Sequence, residues 1–128
     1  MSVELVLTYK DLLDRVEVLK KVFSSDVINI RLALRLKKLL DFVEKELNYF
    51  DQMRLSLIRK YGERVFEDGK EFERVKAENM DKFSSELNEL LSTKITYQFE
   101  KITISELEHM KLSAIDLKML EPFIVFEE

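Results

Sequence analysis

The chain has 128 residues, of which 46% are hydrophobic and 36% charged, with two glycines, one proline and no cysteine. This length supports one hydrophobic core, and the scarcity of glycine and proline indicates a helix-rich domain. The missing cysteines exclude disulfide frameworks, cysteine-based zinc sites and cysteine nucleophiles, and the net charge of −4 argues against general nucleic-acid binding.

The first predicted elements are a short strand and an amphipathic helix. Val3 to Leu7 alternates apolar and other residues in a way that is typical of a strand. Thr8 is a predicted N-cap, and Asp11 three residues later fits a capping box. We expect a helix from Tyr9 to Phe23, followed by a break at Ser24 to Asp26. Its apolar face consists of Leu12, Val16, Leu19 and Phe23.

The stretch from Ile30 to Tyr61 predicts one uninterrupted helix, around which the rest of the chain is organised. It contains neither glycine nor proline, and Gly62 follows as a stop signal. Such a helix is about 48 Å long, which exceeds the width of a compact domain of this size. Its broad apolar face consists of Leu32, Leu36, Leu39, Leu40, Val43, Leu47, Phe50, Leu57, Ile58 and Tyr61.

A second, narrower stripe follows the same helix and combines basic with aromatic residues. Its members recur at intervals of three or four residues and are Arg31, Arg35, Lys38, Phe42, Lys45 and Tyr49. Cations one turn apart can bind phosphate, and aromatic rings on the same face can stack a base. The alternative is that Phe42 and Tyr49 pack beneath the first helix while the basic side chains extend to solvent.

Arg54 interrupts the apolar face of the long helix between Phe50 and Leu57. A charge at such a position needs a partner or a gap in the packing. We expect an ion pair with Glu78 or Glu86 of the next helix. The alternatives are a subunit contact or a ligand pocket.

After Gly62 the sequence predicts a return of the chain along the long helix. Asp68-Gly69 is a turn signal, and residues 63–71 fit either a small β-hairpin or a plain loop. Glu73 to Ser92 predicts a second long helix, with Met80, Phe83, Leu87, Leu90 and Leu91 on its apolar face. The short connection favours an antiparallel helical hairpin.

The C-terminal third predicts two strands and two short helices. Lys94 to Glu100 alternates as a strand does. Ser105 with Glu108 and Ser113 with Asp116 have capping-box spacing, and Pro122 ends the second helix. Phe123 to Phe126 predicts a third short strand. The expected fold is therefore a single mainly α domain with minor β structure: a long helical hairpin, an N-terminal helix, and a small sheet of terminal and central strands.

The residues offer little for catalysis. His109 is the single histidine and fits a surface or cap position. The two glycines stand alone, so no phosphate-binding glycine loop is present. Glu67-Asp68 fits a charged loop better than a metal site. We therefore expect a non-enzymatic protein without a metal or another cofactor. No apolar run approaches the roughly 20 residues that a membrane-spanning helix needs.

Three segments of the chain form a recognisable pattern. They are LALRLKKLLDFVEKELNYFDQMRLSLIRKYGE at Leu32–Glu63, SELNELLSTKI at Ser85–Ile95, and LSAIDLKMLEPFI at Leu112–Ile124. This pattern resembles a family of small uncharacterised proteins carried by tailed bacteriophages. The central loop of this chain is shorter than in the family pattern. The resemblance implies a viral accessory protein in the host cytoplasm or in virion assembly, and it transfers no catalytic residue.

Two hypotheses for function follow. The first is a non-catalytic interaction protein that forms homo-oligomers and binds a host defence or transcription factor, or another phage component. Leu34 and Leu55 lie off the main apolar face of the long helix, and oligomerisation would cover them. The second is capture of an anionic nucleotide or nucleic acid on the basic and aromatic stripe. Between Ile30 and Tyr61 the local net charge is +4, which leaves −8 for the remainder.

Overall fold

The computed structural model of the chain describes residues 2–125. The strands are β1 (Ser2–Thr8), β2 (Gly62–Glu67), β3 (Lys70–Val75), β4 (Lys94–Glu100), β5 (Ile102–Thr103) and β6 (Ile124–Val125). The α-helices are α1 (Tyr9–Phe23), α2 (Ile30–Tyr61), α3 (Met80–Leu91), α4 (Ile104–Leu107) and α5 (Ala114–Leu120). Short 3₁₀ turns at Ala77–Asn79 and Glu121–Phe123 precede α3 and β6. The prediction of a mainly α chain with minor β structure is confirmed.

Local capping signals explain where the first helices begin and end. The Thr8 hydroxyl accepts from the Asp11 backbone N–H, and the Asp11 carboxylate accepts from the Thr8 backbone N–H, as the predicted capping box requires. Asn29 caps α2 by accepting from the Leu32 backbone N–H at 2.9 Å. Helix α2 has the predicted bounds, and its backbone turns to an extended conformation at Gly62.

Three two-stranded sheets replace the single small sheet that we expected. β1 and β4 pair antiparallel along their full length, β2 and β3 form an antiparallel hairpin, and β5 and β6 are parallel. The C-terminal strand therefore joins β5 instead of β4. Ile102 and Ile124 of that pair are both buried, so the contact forms part of the core. Phe126, the last residue of the predicted strand, lies outside the described residues.

The hydrophobic core lies in one part of the molecule, which we call the body and define as residues 2–50 and 92–125. Among residues 2–125, all the buried hydrophobic residues belong to β1, α1, the first part of α2, β4, β5, α4, α5, the second 3₁₀ turn and β6. Leu12, Leu19, Leu36 and Phe123 are among the fully buried side chains. Helices α1 and α2 pack against each other, and the inner face of the β1–β4 sheet contributes residues such as Leu7 and Phe99.

The distal arm, defined as residues 51–91, differs sharply from the body. It contains the far end of α2, the β2–β3 hairpin and α3, and none of its residues is buried. The ends of α2 and β3 are joined because the Lys76 backbone N–H donates to the Tyr61 carbonyl at 3.0 Å. Leu87, Leu90 and Leu91 are partly buried and pack against the core of the body.

The second helix begins later than predicted. We expected it at Glu73, but Glu73 to Val75 belong to β3, and α3 runs from Met80 to Leu91. Asp68 and Gly69 both have positive φ, of 51° and 75°, which suits a tight two-residue hairpin turn. This turn sets the register of β2 with β3. Glu73 to Val75 are therefore paired with β2 as part of a strand and do not begin the helix.

One predicted capping box is displaced. Thr103 caps α4 and its third helical residue, Glu106, completes the box, so the expected pair of Ser105 with Glu108 is wrong. The two overlapping motifs compete, and Thr103 prevails because β5 ends there. The Ser113–Asp116 box of α5 is confirmed.

Candidate ligand-binding surface on the long helix

Four residues of the predicted stripe form an outward row on α2. Arg31, Lys38 and Lys45 are exposed, and Tyr49 is 46% exposed. Successive cations in this row are seven residues apart, which places their Cα atoms about 10.5 Å from one another along the helix. The outward row is therefore a linear cationic surface about 21 Å long, with an aromatic ring one turn beyond it.

Arg35 belongs to the same predicted stripe but faces the body. Its Nη2 donates to Glu106 Oε1 of α4 at 2.7 Å, and the two side chains are 19% and 17% exposed. Burial alone would raise the pKa of Glu106, but the hydrogen bonds from Arg35 and from the Thr103 backbone outweigh it and lower that pKa. Arg35 thus holds α4 against α2, and its charge is already matched.

Phe42 is the second stripe residue that faces the body. Its ring stacks on Tyr97 of β4 with centroids 4.4 Å apart and planes at 30°. Burial, followed by the charge of Asp41, raises the pKa of the Tyr97 hydroxyl. Phe42 therefore packs against β4 and the core of the body, and it is not part of the outward row.

Arg54 does not form the interhelical ion pair that the sequence suggested. Its Nη2 donates to Asp51 Oδ1 of the same helix at 2.7 Å, and its side chain is 39% exposed. No residue of the arm is buried, so the Arg54 guanidinium is not enclosed in an apolar interface. Glu86, one of the two expected partners, instead accepts from Lys60 at 3.1 Å.

The cations of the outward row differ from the other cations of α2. Those others all form ion pairs: Arg35, Lys37, Arg54, Arg59 and Lys60. Within residues 2–125, no ion pair forms to Arg31, Lys38 or Lys45. Three unmatched positive charges on one helix face attract an anionic surface or chain.

Two other features of the described surface were considered as sites, a metal-binding group and the surroundings of His109. Residues 2–125 contain no group of three or more histidine or acidic side chains that could hold a metal ion. His109 is exposed and has a φ of 70° just after α4, as a residue that ends a short helix can have. A depression of about 340 Å³ lies beside it, lined in part by Lys21, Ser25 and Lys111. Lys21 is already bound to Asp116 at 2.6 Å.

Sequence reasoning missed the partners of the stripe. Glu106 and Tyr97 turn Arg35 and Phe42 inward, and both partners lie far along the chain. The spacing of Thr103 and Glu106, a threonine followed three residues later by a glutamate, was a detectable signal for a fixed carboxylate.

The chain matches no protein-family model, no curated protein and no solved structure. The resemblance to the bacteriophage family therefore stays a prediction. Among the described helices, none is both long and apolar enough to cross a membrane.

Proposed function

We propose that this protein is a non-catalytic interaction protein that self-associates through its distal arm. The observation that carries the proposal is the burial pattern, because every buried hydrophobic residue of the described chain lies in the body and none in residues 51–91. Large apolar side chains of the arm remain exposed, namely Met53, Leu55, Phe66, Phe72 and Met80. Exposed apolar side chains of this kind, on an arm that buries none of its own residues, are available for a protein interface.

The exposed area supports the same proposal. The chain exposes 8854 Å². A compact monomer of 15.3 kDa would expose about 7,100 Å², so the excess is about 1,700 Å². One partner in a standard protein interface contributes about 800 Å². The surplus is therefore large enough for a stable dimer contact on each copy.

A second copy of the chain is the occupant that the charges of the arm favour. The arm has eight lysines and arginines against ten aspartates and glutamates, distributed along its whole length. Each arm carries both signs of charge, so the arms of two copies can meet without repulsion between surfaces of the same sign. A partner selected by charge alone would be expected to face a surface of one sign.

Within the arm we propose that α3 runs antiparallel beside the far end of α2, as the expected helical hairpin requires. Lys60 near the end of α2 contacts Glu86 at 3.1 Å, and the Asn79 side chain donates to the Tyr61 carbonyl at 3.3 Å. Leu90, later in α3, packs back against the core of the body. The α2–α3 pair leaves one side uncovered, against which the helical hairpin of a second copy can pack.

The first test substitutes apolar residues at the arm surface. We expect the double variant Met53→Glu, Phe72→Glu to weaken self-association at least tenfold, because it buries two new charges in the proposed contact. Sedimentation equilibrium from about 1 to 200 µM, a range that brackets ordinary dimer affinities, measures the change.

The matched control is Ile30→Glu, which alters a side chain that is 77% exposed but lies outside the arm. Equal effects of the control and the arm variant would contradict the proposal. So would a wild-type chain that stays monomeric throughout the range.

The resemblance to phage proteins supports a biological setting for this activity. We propose a viral accessory protein in the host cytoplasm that binds a host defence or transcription protein, or another phage component. The assembled arm would present the same surface more than once, so that binding of a multivalent partner is strengthened.

The outward row of α2 supports a second candidate function, the capture of an anionic nucleotide or nucleic-acid strand. Arg31, Lys38 and Lys45 are exposed and without ion pairs in residues 2–125, and Tyr49 can stack a base. Arg35 and Phe42 are not part of this proposed binding surface, because Arg35 is already paired with Glu106 and Phe42 is stacked on Tyr97.

Single-stranded oligonucleotides of about 15 nucleotides test this candidate, because a strand-binding groove covers about 4–16 nucleotides. We expect Lys38→Glu with Lys45→Glu to abolish binding, whereas Lys37→Glu, an exposed residue paired with Asp41, leaves it intact. Three phosphate contacts predict a slope of about −2 for log affinity against log salt. Unchanged binding by the double variant, or a flat salt response, would eliminate the site.

A further inference from the structure

Large apolar side chains are exposed where α2 begins. Ile30 is 77% exposed and Leu34 is 56% exposed, and the two lie one helical turn apart on the outer side of α2. Val27, three residues before Ile30, is 53% exposed. We call these three residues the apolar patch. They belong to the body, so the proposed contact through the distal arm does not cover them.

The apolar patch lies beside the cations of the outward row. Around the helix axis, Leu34 is within about 60° of both Arg31 and Lys38. Neither cation forms an ion pair within residues 2–125. Asp41, the next acidic residue on this side of the helix, is already bound to Lys37 at 2.9 Å. The first half of α2 therefore combines exposed apolar side chains with positive charges that still lack a partner.

We infer that this surface binds an acidic helical segment of a different protein. Apolar residues at one end of the segment cover Ile30 and Leu34. Its carboxylates face Arg31, Lys38 and Lys45, which recur every seven residues. Charged residues beside the contact of two packed helices recur at the same interval and determine which partners are accepted. The inference rests on the proposed function as an interaction protein and names the chemistry of its partner.

The apolar patch favours a protein over a nucleic-acid strand as the occupant. Phosphates match the cations equally well, but they leave Ile30 and Leu34 uncovered. Neither side chain has an aromatic ring on which a base could stack. An acidic segment with apolar residues satisfies both parts of the surface, because complementary charge selects the partner and apolar contact covers the patch.

A designed peptide of about 20 residues tests the inference, since a helix of that length spans about 30 Å and covers the outward row. It has glutamates at every seventh position and two leucines, four residues apart, near one end. A second version has the leucines near the other end, because either direction along α2 fits the cations. Fluorescence anisotropy measures binding to the Met53→Glu, Phe72→Glu background, in which the arm does not contribute. At least one version should bind tenfold more tightly than a scrambled peptide of the same composition.

Paired variants test the two parts of the surface separately. We expect Ile30→Ser with Leu34→Ser, and Lys38→Glu with Lys45→Glu, each to weaken peptide binding at least tenfold, because each removes one kind of contact.

The matched controls change the same chemistry elsewhere. Val6→Ser replaces a side chain that is 53% exposed on the outer face of the β1–β4 sheet. Lys70→Glu with Lys82→Glu changes the net charge equally at exposed positions of the arm. Both controls should bind the peptide as the background does, and thermal unfolding checks that every variant keeps the fold. Designed peptides that bind no better than the scrambled one, or serine variants that bind as well as Val6→Ser, would overturn the inference.

The oligonucleotide of about 15 nucleotides distinguishes the alternative occupant. Strand binding that is lost in Lys38→Glu with Lys45→Glu but unchanged in Ile30→Ser with Leu34→Ser, together with no preference for the designed peptides, would assign the surface to nucleic acid and overturn the inference. Self-association provides a separate readout. The serine variant, made without the arm substitutions, should self-associate as the wild type does, so loss of peptide binding and loss of the arm contact are distinguished.

Discussion

Glu106 accepts hydrogen bonds from two elements at the same carboxylate oxygen. Arg35 of α2 donates at 2.7 Å, and the Thr103 backbone N–H donates at 3.0 Å. One side chain therefore completes the cap of α4 and fixes α4 to the long helix. Because the Arg35 and Glu106 side chains are largely shielded from solvent, this ion pair is less weakened by screening than a surface pair.

The pH dependence of stability follows from this pair. Glu106→Gln should lower the free energy of unfolding by about 2 kcal/mol at neutral pH, since hydrogen bonds to charged groups are worth about 1.5–3 kcal/mol. The folded-state pKa of Glu106 is lowered, so its contribution is present above the unfolded value of about 4.3 and is lost as pH falls through the folded pKa.

Urea unfolding at several pH values between about 3 and 7, which spans the carboxylate range, measures this effect. The difference between wild type and Glu106→Gln should shrink as the pH falls. The exposed neighbour Glu108 provides the control variant Glu108→Gln. A difference that is constant with pH, or one that the control reproduces, would show that the charge of Glu106 is not the cause.

At the scale of elements, the sequence predicts those whose ends are set by neighbouring residues. Thr8 with Asp11 fixes the start of α1, Ser113 with Asp116 fixes the start of α5, and Gly62 follows the last residue of α2. Gly62 is required because a Cβ there would clash with the Ile58 carbonyl oxygen and lie 2.8 Å from that of Arg74. These signals act within about one helical turn, so a single sequence contains them.

The start of α3 could not be predicted from such local signals. Glu73 to Val75 fits a helical pattern, but these residues pair with Gly62 to Arg64 of β2. The pairing is set by the positive φ values of Asp68 and Gly69, which the turn signal only suggested. Cross-strand pairing outweighs weak intrinsic helix preference over so short a segment.

The candidate site shows the same limit. Its outward row follows from helical periodicity, and all four members are exposed to a large degree as a single face predicts. Arg35 and Phe42 have the same periodicity but turn inward, because Glu106 and Tyr97 reach them from other elements. No spacing rule within α2 contains that information.

At the scale of the whole molecule, α2 connects two parts with different packing. Its first part passes through the core, where Leu32, Leu36, Leu39 and Val43 are fully buried. Its far end carries the arm, where no residue is buried. Local stability follows buried apolar contact, so a lone chain should open first in the arm while the body stays closed.

Hydrogen exchange as a function of concentration tests this two-part character. At about 1 µM, amides of β2 and β3 should exchange at least tenfold faster than those of α1, because few buried contacts hold these strands closed. Near 200 µM the arm should become protected, since a partner that binds the closed form stabilises it by mass action. Peptides from α1 serve as the internal control, because their burial within one copy does not depend on association. An arm that is as protected as α1 at the lowest concentration would show that it is stable alone, and the need for a second copy would disappear.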